Sequence, residues 1–242
     1  MLSEASKKKT PATITYTPRT PAVLAAALIA TIALFGLDFW SKQWAVRELA
    51  RDQVPAPTNV CEVAPWGGTY RARVPSRDVT VIDGFFELSY AENCGAAFGL
   101  LNQSNSVGKK ILFLGAAIGV SLLLAYMLAT GRGGPAFIYA VPLIVSGALG
   151  NFVDRVRQGY VVDFFHAFGR GWSYPVFNVA DAWIAVGTVL LLIDGVLEAR
   201  AEKRALEERE SSERLKRAES VVPTEPSDDK RAREDGTANA EV

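Results

Sequence analysis

The chain reads Gly150-Asn151-Phe152-Val153-Asp154-Arg155, then Val161-Val162-Asp163-Phe164, then Phe177-Asn178-Val179-Ala180-Asp181. An apolar run ends at the first group and another begins just after the last. Asp163 and Asp181 are therefore expected close to one membrane surface, between two spanning helices. Carboxylates brought together in a low-dielectric place cannot both ionise cheaply and tend to share a proton. Such a pair can deprotonate water and protonate a leaving amine, the two tasks of peptide hydrolysis. On its own, this stretch points to a membrane aspartic protease.

Working outward, four apolar blocks approach the roughly 20 residues that cross a bilayer core. They are Pro21 to Leu37, Ile111 to Ala129, Ala136 to Val153 and Val179 to Leu197. The averages, 49% hydrophobic residues and a mean hydropathy of +0.13, understate this because the apolar residues are clustered. A net charge of zero gives no basic field for nucleic acid. With His166 as the only histidine and Cys61 and Cys94 as the only cysteines, a His/Cys metal cage cannot be built. A carboxylate-only metal site stays open but nothing signals one, and no metal or organic cofactor is expected. Lys7, Lys8 and Lys9 ahead of the first block resemble a signal-peptide n-region, but no small-x-small cleavage pattern follows. An uncleaved first helix is the expectation.

The expected architecture is a membrane all-α fold: four transmembrane helices, a small extracytoplasmic β hairpin or cradle, and a disordered charged C-terminal tail. Residues 1–20 read as a flexible cytoplasmic tail and 21–197 as the four-helix membrane domain, with 51–108 as its extracytoplasmic loop. The first helix should end near Asp38 to Trp44, where Phe39, Trp40 and Trp44 suit the headgroup zone. Residues 51–78 form an insertion punctuated by Pro55, Pro57, Pro65, Gly67, Gly68 and Pro75. Val79 and Val81, a turn at Asp83-Gly84, and the alternation of Phe86, Leu88 and Tyr90 predict a hairpin. Residues 198–242 are rich in Glu, Lys, Arg and Ser. Their first part, 198–218, could extend as a charged helix, and the rest lacks the apolar residues to order. The Lys/Arg bias near the span ends favours both termini inside the cell, with the hairpin, Asp163 and Asp181 outside.

Each polar residue also has a plainer reading. Asp163 could be a solvated loop aspartate. Asp181 falls three residues after Asn178, a good N-cap, where a carboxylate favours the helix dipole. Asn151 shares a helix face with Asp154 and Arg155, which could simply form an interfacial ion pair. Ionisable groups near membrane depth nevertheless tend to line a site or find partners, so these three are expected to orient the pair or bind substrate backbone. Asp38 and Lys42, at i and i+4, read equally as a surface ion pair or as support for the site. Ser41 and Lys42 are adjacent and point about 100° apart, too divergent for a dyad. Ser146 lies inside a span, with His166 the only imidazole to activate it. Cys61 and Cys94 fall on the oxidising side, which permits a disulfide between the insertion and the hairpin region.

These motifs together resemble the lipoprotein signal peptidases (signal peptidase II), over roughly residues 21–197. The family's Asp-x-x-x-Lys appears as Asp38 and Lys42, and its Asn-x-Gly-x-Ala-Phe as Asn93, Gly95, Ala97 and Phe98. Gly-Asn-x-x-Asp-Arg appears as Gly150, Asn151, Asp154 and Arg155. Val-Val-Asp-Phe supplies Asp163, and Phe-Asn-x-Ala-Asp supplies Phe177, Asn178, Ala180 and Asp181. The resemblance implies that Asp163 and Asp181 are the catalytic pair and that Asn93, Asn151, Arg155 and Asn178 contact substrate or steady them. It implies a monomer in the bacterial inner membrane, with a diacylglyceryl-modified prolipoprotein as substrate. That substrate would enter from the lipid bilayer, its lipidated cysteine walled by Phe98, Phe164 and Phe165. The insertion at 51–78, the long tail and Cys94 in place of a small polar residue depart from the usual pattern. A small transporter or channel is the alternative from another class, but the four spans carry no internal repeat. A structural scaffold would leave the Asn/Asp pairing unexplained.

Overall fold

Residues 16–50, 76–94 and 107–219 are described by the computed structural model, those at 107–114 and 218–219 by their backbone alone. The insertion at 51–75, with Cys61, and the segment from Gly95 through Ala97 and Phe98 lie outside the described residues. Cys94 is disulfide-bonded.

Helix α1 (Pro21–Glu48) starts where Thr20 caps it by accepting from the Val23 amide, with Pro21 in the first turn, which needs no amide donor there. It does not stop near Asp38 to Trp44 as the sequence reading expects but continues to Glu48. The reason is that Asp38 and Lys42 are buried rather than marking a wet helix end. Helices α3 (Pro135–Gln158) and α4 (Val179–Glu219) are, like α1, long and apolar enough to cross a membrane. Helix α2 (Val107–Ala129) begins four residues before the expected Ile111, and its described apolar part is the shorter stretch Gly115–Ala129. One compact unit ends at Leu197, and a second begins at Glu198. From Glu198 to Arg217 the helical side chains are exposed.

The hairpin forms as read, β1 (Val79–Ile82) against β2 (Phe86–Asn93), but it is only half of a sheet. Strands β3 (Val161–Gly169) and β4 (Trp172–Ser173) complete an antiparallel meander in the order β1-β2-β3-β4. Asp163 is thus a strand residue, paired with Ala91, rather than a loop aspartate. The chain can turn straight from α3 into β3 because Gly159 adopts φ 83°, a left-handed conformation that closes the helix at little cost.

Two apolar clusters hold these parts together. Ala27, Leu124, Leu128, Phe137, Val141 and Ile144 join α1, α2 and α3. Ala45, Leu49, Tyr90, Tyr160, Val162 and Phe164 join the end of α1 to the sheet. Helices α3 and α4 meet through small residues, so closely that a Cβ on Gly147 would strike the Ala180 carbonyl oxygen. We expect Gly147→Ala to destabilise the protein by about 1–3 kcal/mol, since backbone yields only if α4 moves. Gly36→Ala, whose added methyl meets nothing within 4 Å, should be neutral or stabilising. Thermal unfolding of both variants in detergent checks this, and equal melting temperatures would contradict the close α3–α4 contact.

Candidate active site

The site is assembled from five elements, α1, β2, β3, α3 and α4, that converge where α3 ends and α4 begins. The sheet places Asp163. Its cross-strand partner is Ala91, and Asn93, two residues along on β2, reaches it diagonally. Asn93 Nδ2 donates to Asp163 Oδ2 at 3.0 Å. The bridge between Phe165 and Phe177 then pins the chain just before α4 onto β3. Asn178 follows directly, and its Nδ2 donates to Asp163 Oδ1 at 2.6 Å.

Asp181 is placed by helix capping. Its amide donates to Asn178 Oδ1 at 3.0 Å, and its own Oδ2 accepts from the Asn178 amide at 3.3 Å. This is a reciprocal capping box, in which two amides at the helix start are satisfied at once. The remaining oxygen, Oδ1, accepts from Asn151 Nδ2 at 2.8 Å. The plain N-terminal role and membership of the polar frame thus coexist in one residue.

Behind the pair lies a buried cation. Lys42 Nζ sits 2.8 Å from Asp38 Oδ2 and 3.1 Å from Asp154 Oδ2, and donates to Asn151 Oδ1 at 3.0 Å. With Asp38 and Lys42 at 0% and 1% exposure, the surface-pair reading fails. Asp38 Oδ1 also accepts from the Ala180 amide at 2.8 Å, tying α1 to the first turn of α4. Gly150 makes room for this, since a Cβ there would strike the Asp38 carboxylate. Asp154 accepts from the Val162 amide at 3.4 Å and so touches β3 one residue before Asp163. Arg155 donates to the Asn151 carbonyl at 3.0 Å, and its charge acts on Asp154, Asp163 and Asp181.

The two aspartates differ. Asp163 is buried at 2% exposure, whereas Asp181 is half-buried. Burial, and then the nearby charge of Asp181, push the Asp163 carboxyl up to about 7, against the opposing amides of Asn93 and Asn178. Around neutrality one carboxyl of the two therefore holds a proton readily.

The competing serine scheme does not assemble. Ser146 Oγ donates to the Leu143 carbonyl of its own helix, and Ser41 Oγ to the Asp38 carbonyl. His166 instead bridges Glu87 Oε1 and Ser173 Oγ, each at 2.8 Å, across three strands of the sheet. Of the expected apolar wall, Phe164 is buried against Trp44 and Phe165, while Phe98 lies outside the described residues, as does Gly95. Among the described residues no group of three His, Cys, Asp or Glu side chains is placed to hold a metal ion.

Residues 30–197 match the family model described as signal peptidase (SPase) II. The chain belongs to the signal peptidase II family. It is 34% identical over 176 residues to the lipoprotein signal peptidase of Neisseria meningitidis, covering 73% of this chain and 92% of that one. It is 33% identical over 166 residues to that of Oleidesulfovibrio alaskensis, covering 69% and 90%. A solved bacterial membrane enzyme shares the fold with a TM-score of 0.55 at 23% identity, covering 78% of this chain and 95% of that chain. Membership of this family, together with the apolar helices, makes the chain a multi-pass membrane protein of the peptidase class and disfavours the transporter reading.

The Asp163 environment has a measurable consequence. Its folded-state pKa lies above the reference value of 3.8. Between roughly pH 4 and 7 the folded form therefore binds more protons than the unfolded form. The stability that Asp163 contributes is complete below that window and is lost as pH rises through about 7. Infrared difference spectra should show a protonated-carboxyl band that titrates near pH 7 and is missing from Asp163→Asn. A band already gone by about pH 5 would mean that Asp163 is an ordinary ionised carboxylate.

Proposed function

We propose that this protein is an aspartic endopeptidase that removes the signal peptide from diacylglyceryl-modified prolipoproteins, cutting just before the lipidated cysteine. Substrate class follows the family and its named relatives. The observation that carries the mechanism is the asymmetry of the pair: one carboxyl buried and holding its proton to about pH 7, the other half-buried at a capped helix start.

In this reading Asp181 is the base that takes a proton from the attacking water, while protonated Asp163 donates a hydrogen bond to the scissile carbonyl oxygen. The water oxygen bonds to carbon, giving a tetrahedral species. The tetrahedral oxyanion then collapses to a carbonyl as the C–N bond breaks, Asp181 passing its proton to the leaving nitrogen while Asp163 keeps its own. Asn93, Asn151 and Asn178 hold the carboxylates. Arg155 offsets their charge and binds substrate backbone. The substrate's acyl chains remain in lipid, so four helices, α1 to α4, cross the membrane, with the sheet and aspartates outside the cell and both termini inside. Residues 1–20 and 198–242 then flank the 21–197 peptidase domain from the cytoplasm.

Asp163→Asn and Asp181→Asn should each abolish cleavage of a lipidated prolipoprotein in liposomes while leaving the protein inserted, because an amide cannot exchange the catalytic proton. Near-wild-type turnover from either variant removes that residue from the mechanism. Rate against pH should be bell-shaped, both limbs belonging to the coupled pair. The same substrate without its diacylglyceryl group should be cut far more slowly, chiefly because the lipid sets the depth and orientation of the scissile bond. Equal turnover of the two substrates would sink the lipoprotein assignment but not the protease assignment.

A further inference from the structure

Where α3 begins, at the far end of that helix from the aspartates, a second buried carboxylate makes contacts that the proposed chemistry does not use. Asp194, on α4, is 2% exposed. Its Oδ2 accepts from the Gly134 amide at 2.7 Å and its Oδ1 from the Ala136 amide at 3.0 Å. A side chain of one helix thus caps the N-terminus of its neighbour, whose own N-cap residue, Gly134, has no side chain to do so. Gly134 is the residue that fits, because a Cβ there would come within 2.7 Å of Asp194 Oδ1. Arg19 holds the same turn from the other side, its Nη2 donating to the carbonyls of Gly133 and Gly134. The turn's amides therefore face an anion and its carbonyls a cation.

From this end the two helices run antiparallel in step. Gly134 and Ala136 meet Asp194. One stretch further along, Gly187 meets Ala140 and Ile144, and then Gly147 meets Ala180 and Ile184. Last, Asn151 meets Asn178 and Asp181. The intermediate contacts are close and involve glycine or apolar side chains, with no hydrogen bond among them. Among the described residues, the directional hydrogen bonds seen between the two helices lie at the two ends. From Gly134 to Asn151 is about 25 Å of helix, so an axial shift at one end reaches the other almost undiminished.

We infer that Asp194 is a positioning residue for the aspartate pair: by fixing the start of α3 to α4 it sets the axial register that brings Asn151 Nδ2 to Asp181 Oδ1. This rests on the reading of Asp163 and Asp181 as the catalytic pair. It assigns no contact with substrate to Asp194. A displacement of about 1 Å at a reacting group can cost two orders of magnitude in rate.

The test uses full-length Asp194→Ala and Asp194→Asn in liposomes with a lipidated prolipoprotein, kinetics being normalised to folded enzyme. The Ala variant should lose about tenfold or more in kcat with KM within about twofold, and the limbs of its pH–rate bell should move, because the separation of the pair governs its coupling. The Asn variant, whose amide can accept only one of the two N–H groups, should fall between. A residue that only stabilises the fold would lower the amount of active enzyme without moving the limbs. Unchanged kcat and limbs in either folded variant overturn the inference, and the Asn variant decides if the Ala variant does not fold. If Asp163→Asn is active in the same assay, the catalytic reading has failed instead.

Discussion

A single ammonium group fixes the chemistry of this site by deciding which way the amides face. Lys42 Nζ can only donate. Asn151 must therefore turn its oxygen towards Lys42, which leaves Asn151 Nδ2 directed at Asp181. The same oxygen accepts from Asn178 Nδ2, so the oxygen of Asn178 faces the Asp181 amide. Asn178 Nδ2 also donates to Asp163. The chain of consequences runs from a cation on α1, through two amides, to both carboxylates. Asn178 Nδ2 and the Asp181 carboxylate favour the same orientation of Asn151, so the cation reinforces an arrangement that both neighbours also select.

A cation so deeply buried is expensive, and the surrounding structure shows how the expense is met. Lys42 is flanked by two carboxylates, and each carboxylate has a second partner in a backbone amide, Ala180 for Asp38 and Val162 for Asp154. Buried ion pairs add little net stability, but removing one partner leaves an uncompensated charge and is strongly destabilising. The network is therefore better understood as specifying one arrangement of α1, α3, β3 and α4 than as a source of stability. Close helix contact at Gly147 and Gly150 is its steric counterpart, since both the Ala180 carbonyl and the Asp38 carboxylate occupy space that a side chain would need.

Much of this was legible in the sequence because it is local. The capping relation of Asn178 and Asp181 spans three residues, and the Asp38–Lys42 pair spans one helical turn. The hairpin announced itself by alternation around Asp83-Gly84. What the sequence concealed depends on long-range pairing. Nothing local shows that Val161–Gly169 would join β2, since a run such as Val-Val-Asp-Phe-Phe reads equally as a loop bounded by apolar residues. Burial of Asp38 and Lys42 was hidden for a related reason: only the α3 and α4 partners make them interior. Arg19 reads in the sequence only as part of the Lys/Arg bias, and Asp194 only as a charge near the end of an apolar block, because such charges normally mark a membrane boundary. Asp194 stands out only once its two amide partners, some 60 residues earlier in the chain, are placed beside it.

The two carboxylates of the pair stand on different kinds of support, and that difference bears on how such a site can work in lipid. Asp163 is on a strand whose neighbours on both sides are hydrogen-bonded, so its position is set by backbone pairing with β2 and with Phe177. Asp181 is in the first turn of a helix whose axial position depends on α3. A strand residue can be buried and still keep its backbone satisfied, which lets burial raise its proton affinity without exposing the chain to lipid. A first-turn residue sits beside amide groups that have no partner within the helix, and Asp181 Oδ2 accepts from one of them, that of Asn178, while staying half-buried. The two carboxylates thus owe their different surroundings to secondary structure rather than to neighbouring sequence.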